Sequence, residues 1–435
     1  MIIPCSWFVR PQVVFLGRLS FALLGLAVLT QCKDKDPEGP TGPKIYRFTP
    51  TTPDLQTTLQ TTLIDMKAGE TIEFAAGTYN FTNSLTLRDL ANVTIRGAGR
   101  GQTILDFSGQ VAGAEGWRID NMTNITMRGL TVQDTKGDGI KLKGCDGIKL
   151  IDVGAVWTGT PETSNGAYGL YPVSSKNVLM DSCYARGASD AGIYVGQCDR
   201  VILRNSKAEE NVAGIEIENT LNADVYKNVA VNNTGGILVF DLPNLPQKNG
   251  GNIRVFDNQV LNNNHPNYAP AGAIVSEVPS GTGIMIMACR NVDIYNNQIT
   301  NNNKMGTCLI SYDVLAALDA RYTYNDSLFN PTLSAIYLHD NTYARQSVQT
   351  PGGQQISVIL TLHYGTNPPD IIYDGIVPTA NEGVADKKVC IRNNANATFV
   401  DLNAEESGVT DKSKFKTDLS AYDCTHAALN PVSIP

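Results

Sequence analysis

Two carboxylates and three tyrosines are the residues of this 435-residue chain best suited to chemistry. Glu216 stands mid-segment in Gly214-Ile215-Glu216-Ile217, and Asp190 precedes a similar segment, Gly192-Ile193-Tyr194-Val195. Alternation of this kind sends successive side chains to opposite faces, so Glu216 and Tyr194 point away from the isoleucines. Lys141, in Gly139-Ile140-Lys141-Leu142, and Tyr171, in Gly169-Leu170-Tyr171, hold the same place in earlier segments; Leu238 and Met285 hold it in later ones. Asp138, Tyr168, Glu218 and Asp241 flank this row. Aromatic faces stack on sugar rings, and adjacent carboxylates serve as acid and base or hold a cation such as calcium. Glu216 and Asp190 are therefore the candidate catalytic pair. Lys141, Tyr168, Tyr171, Tyr194, Glu218 and Asp241 are the candidate substrate contacts. Singly, each is also an ordinary outward residue of a strand or turn; their clustering is what argues for a site.

The elements that position them form a repeat. Asn228, Asn258, Asn297, Asn341 and Asn394 each lie five residues after the first apolar residue of a short strand motif, beginning at Ala223, Ile253, Val292, Ile336 and Val389. One turn explains an asparagine once; five in one phase imply stacked coils whose amides bond above and below. The frame extends toward the N-terminus with strand starts at Ile72, Val93, Ile125, Ile148, Val178 and Val201, about eleven coils in all. Position five is then Gly77, Ala98, Leu130, Val153, Cys183 and Ser206, all small or apolar. The basic coil is close to 22 residues, as from Val201 to Ala223, and longer coils carry loops. At roughly 4.8 Å per coil the rod is on the order of 50 Å long. This is an all-β solenoid, and the glycine-led segments are its second strand, with glycine at the bend.

The pattern resembles the right-handed parallel β-helix of pectate lyases and their relatives, and the handedness is what that resemblance and the rule for parallel crossovers imply. The paired Asp and Arg or Lys motifs of pectate lyases and polygalacturonases are missing. The DPHD stretch of mannuronan epimerases has only Gly166-Ala167-Tyr168-Gly169-Leu170-Tyr171-Pro172 as its nearest counterpart, without His or Asp. The runs Gly166–Ser174, Gly187–Gln197, Ala213–Asn219 and Asn233–Pro243 look like an exported bacterial family of parallel β-helix repeat proteins. That family has no assigned activity, and its members resemble partners of an exported dihaem cytochrome c.

The ends describe processing. Arg10 and Arg18 lead into the apolar run Phe21–Leu29, so residues 1–31 read as an export signal. Leu29-Thr30-Gln31-Cys32 resembles a lipobox, with Cys32 lipidated and residues 32–43 as tether. Lys33-Asp34-Lys35-Asp36 resembles the tag of surface-exported lipoproteins, which places the chain at the outer membrane of a Gram-negative cell, surface-exposed or periplasmic. Residues 44–67 are expected to cap the open first coil, with a helix over Asp54–Met66 capped by Asp54. The β-helix runs over 68–403, with long loops near 313–333 and 344–386, and 404–435 is a tail.

Composition narrows the partners. The net charge is −8, and −10 without residues 1–31, which hold Arg10 and Arg18 and no acids. No basic stripe suits nucleic acid, and a negative rod disfavours polyanions unless a cation or local basic patch intervenes. Of nine cysteines, Cys145, Cys198 and Cys289 share one phase with Ser175, Thr220 and Gly250 and read as core thiols. Cys390 and Cys424 are placed to staple the tail in an exported chain. No CxxCH or paired CxxC motif supports haem attachment or structural zinc. His265 and Tyr268 lie in an insert long enough to fold over the tyrosines as a lid.

Three functions fit a monomeric rod of this kind. The first is engagement of an extended polysaccharide along the face of coils 148–241, with lyase, epimerase or hydrolase chemistry. The others are docking of a protein partner such as a cytochrome c, and a surface spacer. An open groove between Glu216 and Asp190 marks the first reading; an exposed apolar patch at Leu238, Phe240, Met285 and Met287 marks the second.

Overall fold

The computed structural model of the protein describes residues 42–435 apart from 349, 351 and 396. The expected export signal, Cys32 and nearly all of the tether lie outside the described residues.

The unit Pro43–Pro435 is a parallel β-helix. Its strands form one ladder of eleven and one of twenty. One 22-residue coil shows why. Asp199–Arg204, Lys207–Glu209 and Ala213–Glu218 are its strands. At the three corners Asn205, Glu210 and Asn219 have positive φ. Each is followed by an inward, buried Ser206, Asn211 or Thr220. The left-handed residue turns the chain, and the polar residue after it bonds to the next coil. Asparagine suits both places, because it tolerates positive φ and carries a donor and an acceptor on one amide.

The expected asparagine column is present. Asn228, Asn258, Asn297 and Asn341 each donate from Nδ2 to Oδ1 of the next member, ending at Asn394, over 2.9–3.1 Å. The same oxygens accept the backbone N–H of the preceding member, as Asn258 Oδ1 does from Asn228 at 3.0 Å. A second buried column, Asn211, Asn233, Asn263 and Asn302, runs at the next corner with bonds of 2.9–3.0 Å. The core between the columns is stacked apolar side chains. Ile140, Leu170, Ile193, Ile215, Ile237 and Ile284 pair in register and are fully buried.

The frame fails at the first coils. Ile72 pairs with Ile95, not Val93, and Gly77 pairs with Thr103, not Ala98. The capping region also holds a strand, Ile45–Phe48, in parallel with Thr71–Phe74, so the solenoid begins before residue 68. The helix is Leu55–Asp65, burying Leu59 and Leu63; Asp54 has positive φ and makes no side-chain cap. The irregular conditions of an end coil, where one face has no neighbour to match, explain these departures.

The late inserts are not plain loops. They contain helices Tyr312–Leu318 and Gln355–Tyr364, and the strand Ile371–Tyr373 continues the eleven-strand ladder. Cys145, Cys183, Cys198, Cys289 and Cys308 are buried free thiols. Cys390 and Cys424 form a disulfide, with Cα atoms 5.0 Å apart. Beyond it the tail turns back over the twenty-strand ladder, and Val432 N donates to Asp224 Oδ2 at 3.0 Å.

Candidate active site

The site lies on the outer side of the eleven-strand ladder. Register aligns Arg118, Lys141 and Tyr171, and then Tyr194, Glu216, Leu238, Met285 and Cys308. One column thus passes from cations through aromatic rings to a carboxylate and then to apolar residues.

Asp190 reaches this column through one extra residue. Ala188 and Asn211 occupy equivalent corner positions, since Asn211 Oδ1 accepts the Ala188 N–H at 2.9 Å. Ala191 and Ala213 are also paired. Two residues, Ser189 and Asp190, therefore fill a place that Val212 fills alone one coil later. The added residue sets a carboxylate beside Glu216, and its trace in the sequence is a coil of 23 residues from Val178 to Val201.

Tyr168, Tyr171 and Tyr194 form a three-ring cluster with centroids 4.5, 4.5 and 4.9 Å apart. Tyr194 Oη donates to Glu218 Oε1 at 2.5 Å. Gly196, paired with Glu218, makes room for that ring: a Cβ there would sit 2.2 Å from the Tyr194 hydroxyl. At the other end Lys141 Nζ lies 4.5 Å from the Tyr171 ring centroid, 3.6 Å from Asp138 and 3.8 Å from Glu115.

The acids are buried beyond the sequence expectation. Glu216 is 1 % exposed, Glu218 6 % and Asp190 8 %. Burial pushes the Glu216 carboxyl well above the usual carboxylate range, and the charges of Asp190 and Glu218 push it further. Asp190 is raised by burial and by Glu218, against hydrogen bonding from Tyr168 and Glu216. Burial raises Glu218 against the bond from Tyr194. The charge of Asp190 helps to raise Glu216, because two neighbouring buried carboxyls do not both ionise readily. Asp190 Oδ1 and Glu216 Oε2 are left without partners. Asp241, at 1 % exposure, is pushed up to about 7 by burial, and Asp138 to about 6.

Exposure of the row is thus corrected. The strand residues do point away from the core, but inserts cover Tyr194, Glu216, Leu238 and Met285. Tyr268, Ile274, Val275 and Val278 pack with Tyr194, Ala213 and Leu238 in a second apolar cluster. The Tyr268 hydroxyl lies 2.8 and 2.7 Å from the Ala188 and Glu210 carbonyls, and Thr163 Oγ1 donates to the Tyr268 carbonyl at 2.8 Å. His265 meets the Tyr268 ring edge-on at 5.3 Å. Leu238, Phe240, Met285 and Met287 are also interior, beneath the inserts, and present no exposed patch to a partner. The partly exposed end is at Lys141 and Tyr171.

The structure brings Lys141, Tyr168, Tyr171, Tyr194, Asp190, Glu216 and Glu218 together. Asp241 stands one coil on, close enough to Glu218 to feel its charge, and reads as a neighbour of the cluster. Glu115 is the residue that sequence reasoning missed. Its signal was Gly116-Trp117-Arg118-Ile119, a glycine-led segment of the same type. Among the described residues no three His, Cys, Asp or Glu side chains are grouped to hold a metal ion.

A model of the right-handed beta helix region matches residues 115–277. The chain is a right-handed parallel β-helix. No curated protein is similar to it in sequence. Solved structures of similar fold include the A-module of mannuronan C-5 epimerase AlgE4 of Azotobacter vinelandii, at 16% identity and TM-score 0.46, covering 78% of this chain and 89% of that one. The AlgE6 A-module of the same organism gives 16%, 0.44 and the same coverage. An alginate lyase from Paenibacillus sp. gives 15% and 0.35, covering 58% of this chain and 94% of that one. At these identities the likeness is one of fold.

Proposed function

We propose that this β-helix is a carbohydrate-active protein whose site is the buried carboxyl cluster beside the three tyrosines. The observation that carries this reading is the Asp190–Glu216 pair. Two neighbouring buried carboxyls that do not both ionise readily provide an acid and a base within one site. Glu216, the more deeply buried of the two and raised well above the usual carboxylate range, is the proton donor; Asp190 is the acceptor. Tyr168 and Tyr171 are the half-buried platform for a sugar ring, and Lys141 lies at the mouth. An acid and a base held together can protonate a glycosidic oxygen while deprotonating water, as in a hydrolase, or exchange protons at a sugar carbon, as in a lyase or epimerase. The insert carrying Tyr268 must lift or part for a chain to reach Glu216, so it acts as the lid. Cys32 is the lipid anchor of the mature protein in this reading, holding it to the outer membrane.

The test is a glycan-array binding and turnover screen on the mature chain, with and without calcium, beside Glu216→Gln. Binding or turnover that the folded variant loses supports the proposal. No glycan bound by either protein, both folded, removes it.

A further inference from the structure

The charges around the site bear on which glycans it can hold. The two cations of the column each face carboxylates. Arg118 Nε donates to Asp120 Oδ2 at 2.7 Å, and Lys141 is held between Asp138 and Glu115. Further in, among the described residues, no ion pair includes Asp190, Glu216, Glu218 or Asp241. The polar atoms left unpartnered on these four acids are Asp190 Oδ1, Glu216 Oε2 and both carboxyl oxygens of Asp241, on residues more than nine-tenths buried.

Such a floor has a definite preference. Free carboxyl oxygens accept hydrogen bonds from hydroxyl groups, and a protonated Glu216 donates one back. Tyrosine faces stack on the apolar face of a pyranose. A uronate carboxylate beside Asp190 and Glu216 finds no guanidinium or ammonium paired with them, and meets like charge where little solvent screens it. An ion lacking a counter-charge is not accommodated by burial; it is excluded or neutralised.

We infer that the site takes an uncharged glycan, with neutral hexose units against Tyr168, Tyr171 and the Asp190–Glu216 pair, and rejects polyuronates. This inference rests on the reading of the cluster as a glycan site, adds the substrate class, and narrows the chemistry to hydrolysis, since a neutral hexose has no carboxylate to acidify a ring C–H.

Calorimetric titration of the mature chain at pH 7 with three oligosaccharide series of matched length checks it: neutral glucans, mannuronate oligomers and chitosan oligomers. The expected result is neutral binding at least tenfold tighter than mannuronate, unchanged between low and high salt. Glu216→Gln, shown to be folded by its thermal melt, should weaken neutral binding at least tenfold. Mannuronate binding as tight as neutral, weakening with salt and lost in the variant, overturns the substrate class and leaves the site standing. A preference for chitosan with the same salt dependence overturns it in favour of a cationic sugar. Neutral binding unaffected in Glu216→Gln, or no binding in any series, removes the site and the inference together.

Discussion

The two outer faces of the solenoid bury acids in opposite ways. On the twenty-strand ladder, register aligns Asp224, Arg254, Asp293 and Tyr337. Arg254 Nε donates to Asp224 Oδ1 at 2.7 Å, and His339 Nε2 lies 3.0 Å from Asp293 Oδ1. Beside them Tyr226, Phe256, Tyr295 and His339 stack nearly parallel at 4.8–5.2 Å. There each buried acid has a guanidinium or imidazole partner, and the rings spend their faces on one another. On the eleven-strand ladder Asp190, Glu216 and Glu218 have only tyrosines and each other. A structural face satisfies its charges; a face held for a ligand leaves some unsatisfied, at a cost in stability.

The contrast can be broken at several points. Arg254→Met should be the most damaging change, because it leaves Asp224 buried without its cation; a loss of about 3 kcal/mol in denaturant unfolding is expected. A loss under about 0.5 kcal/mol would mean that the pair is an ordinary surface bridge and the faces are alike. Gly196→Ala is next. Its Cβ would lie 2.2 Å from the Tyr194 hydroxyl, so the ring must move off Glu218. The cost should be about 2 kcal/mol, and a crystal structure of the variant should show the ring displaced.

Removing an acid from the site should have the opposite sign to removing the cation from the other face. Carboxyls raised by burial bind a proton more tightly folded than unfolded. Their contribution is complete below the unfolded value near 4 and is lost as pH rises through the folded values. For Asp138 and Asp241 these are about 6 and about 7, and Glu216 moves in the same direction. Stability of the wild type should therefore fall between about pH 4 and pH 8. Glu216→Gln should be more stable than wild type at pH 8 by about 1–2 kcal/mol and show a flatter profile. A variant less stable at pH 8 would show that Glu216 is a structural residue. The smallest effect expected is from Tyr194→Phe, about 1 kcal/mol or less, read by thermal melting.

Much of this was legible in the residues themselves. The column Lys141, Tyr171, Tyr194, Glu216, Leu238 and Met285 follows from alternation after glycine, and the strand register pairs it as read. The asparagine column at Asn228 was legible because five coils kept one phase. The second column, at Asn211, has the same chemistry but follows only a three-residue strand, too short for an alternating pattern to announce it. The insert of His265 and Tyr268 was legible as a lid over the tyrosines; the burial of the acids was not. The residues over Glu216 come from an insert about fifty positions later in the chain, and nothing local to Glu216 records them.

The sequence by itself determined the coil. Period, corner asparagines, glycine-led strands and inward apolar residues are local properties, and stacking identical units multiplies each small preference along the rod. Only the tertiary structure decided what the outward residues became. Alternation tells which side of a strand a side chain leaves from, not whether that side meets water. The insert carrying Tyr268 packs against Tyr194, Ala213 and Leu238 on one face, where Asp190, Glu216 and Glu218 are buried and their proton affinities are raised because a buried charge without a counter-charge is costly.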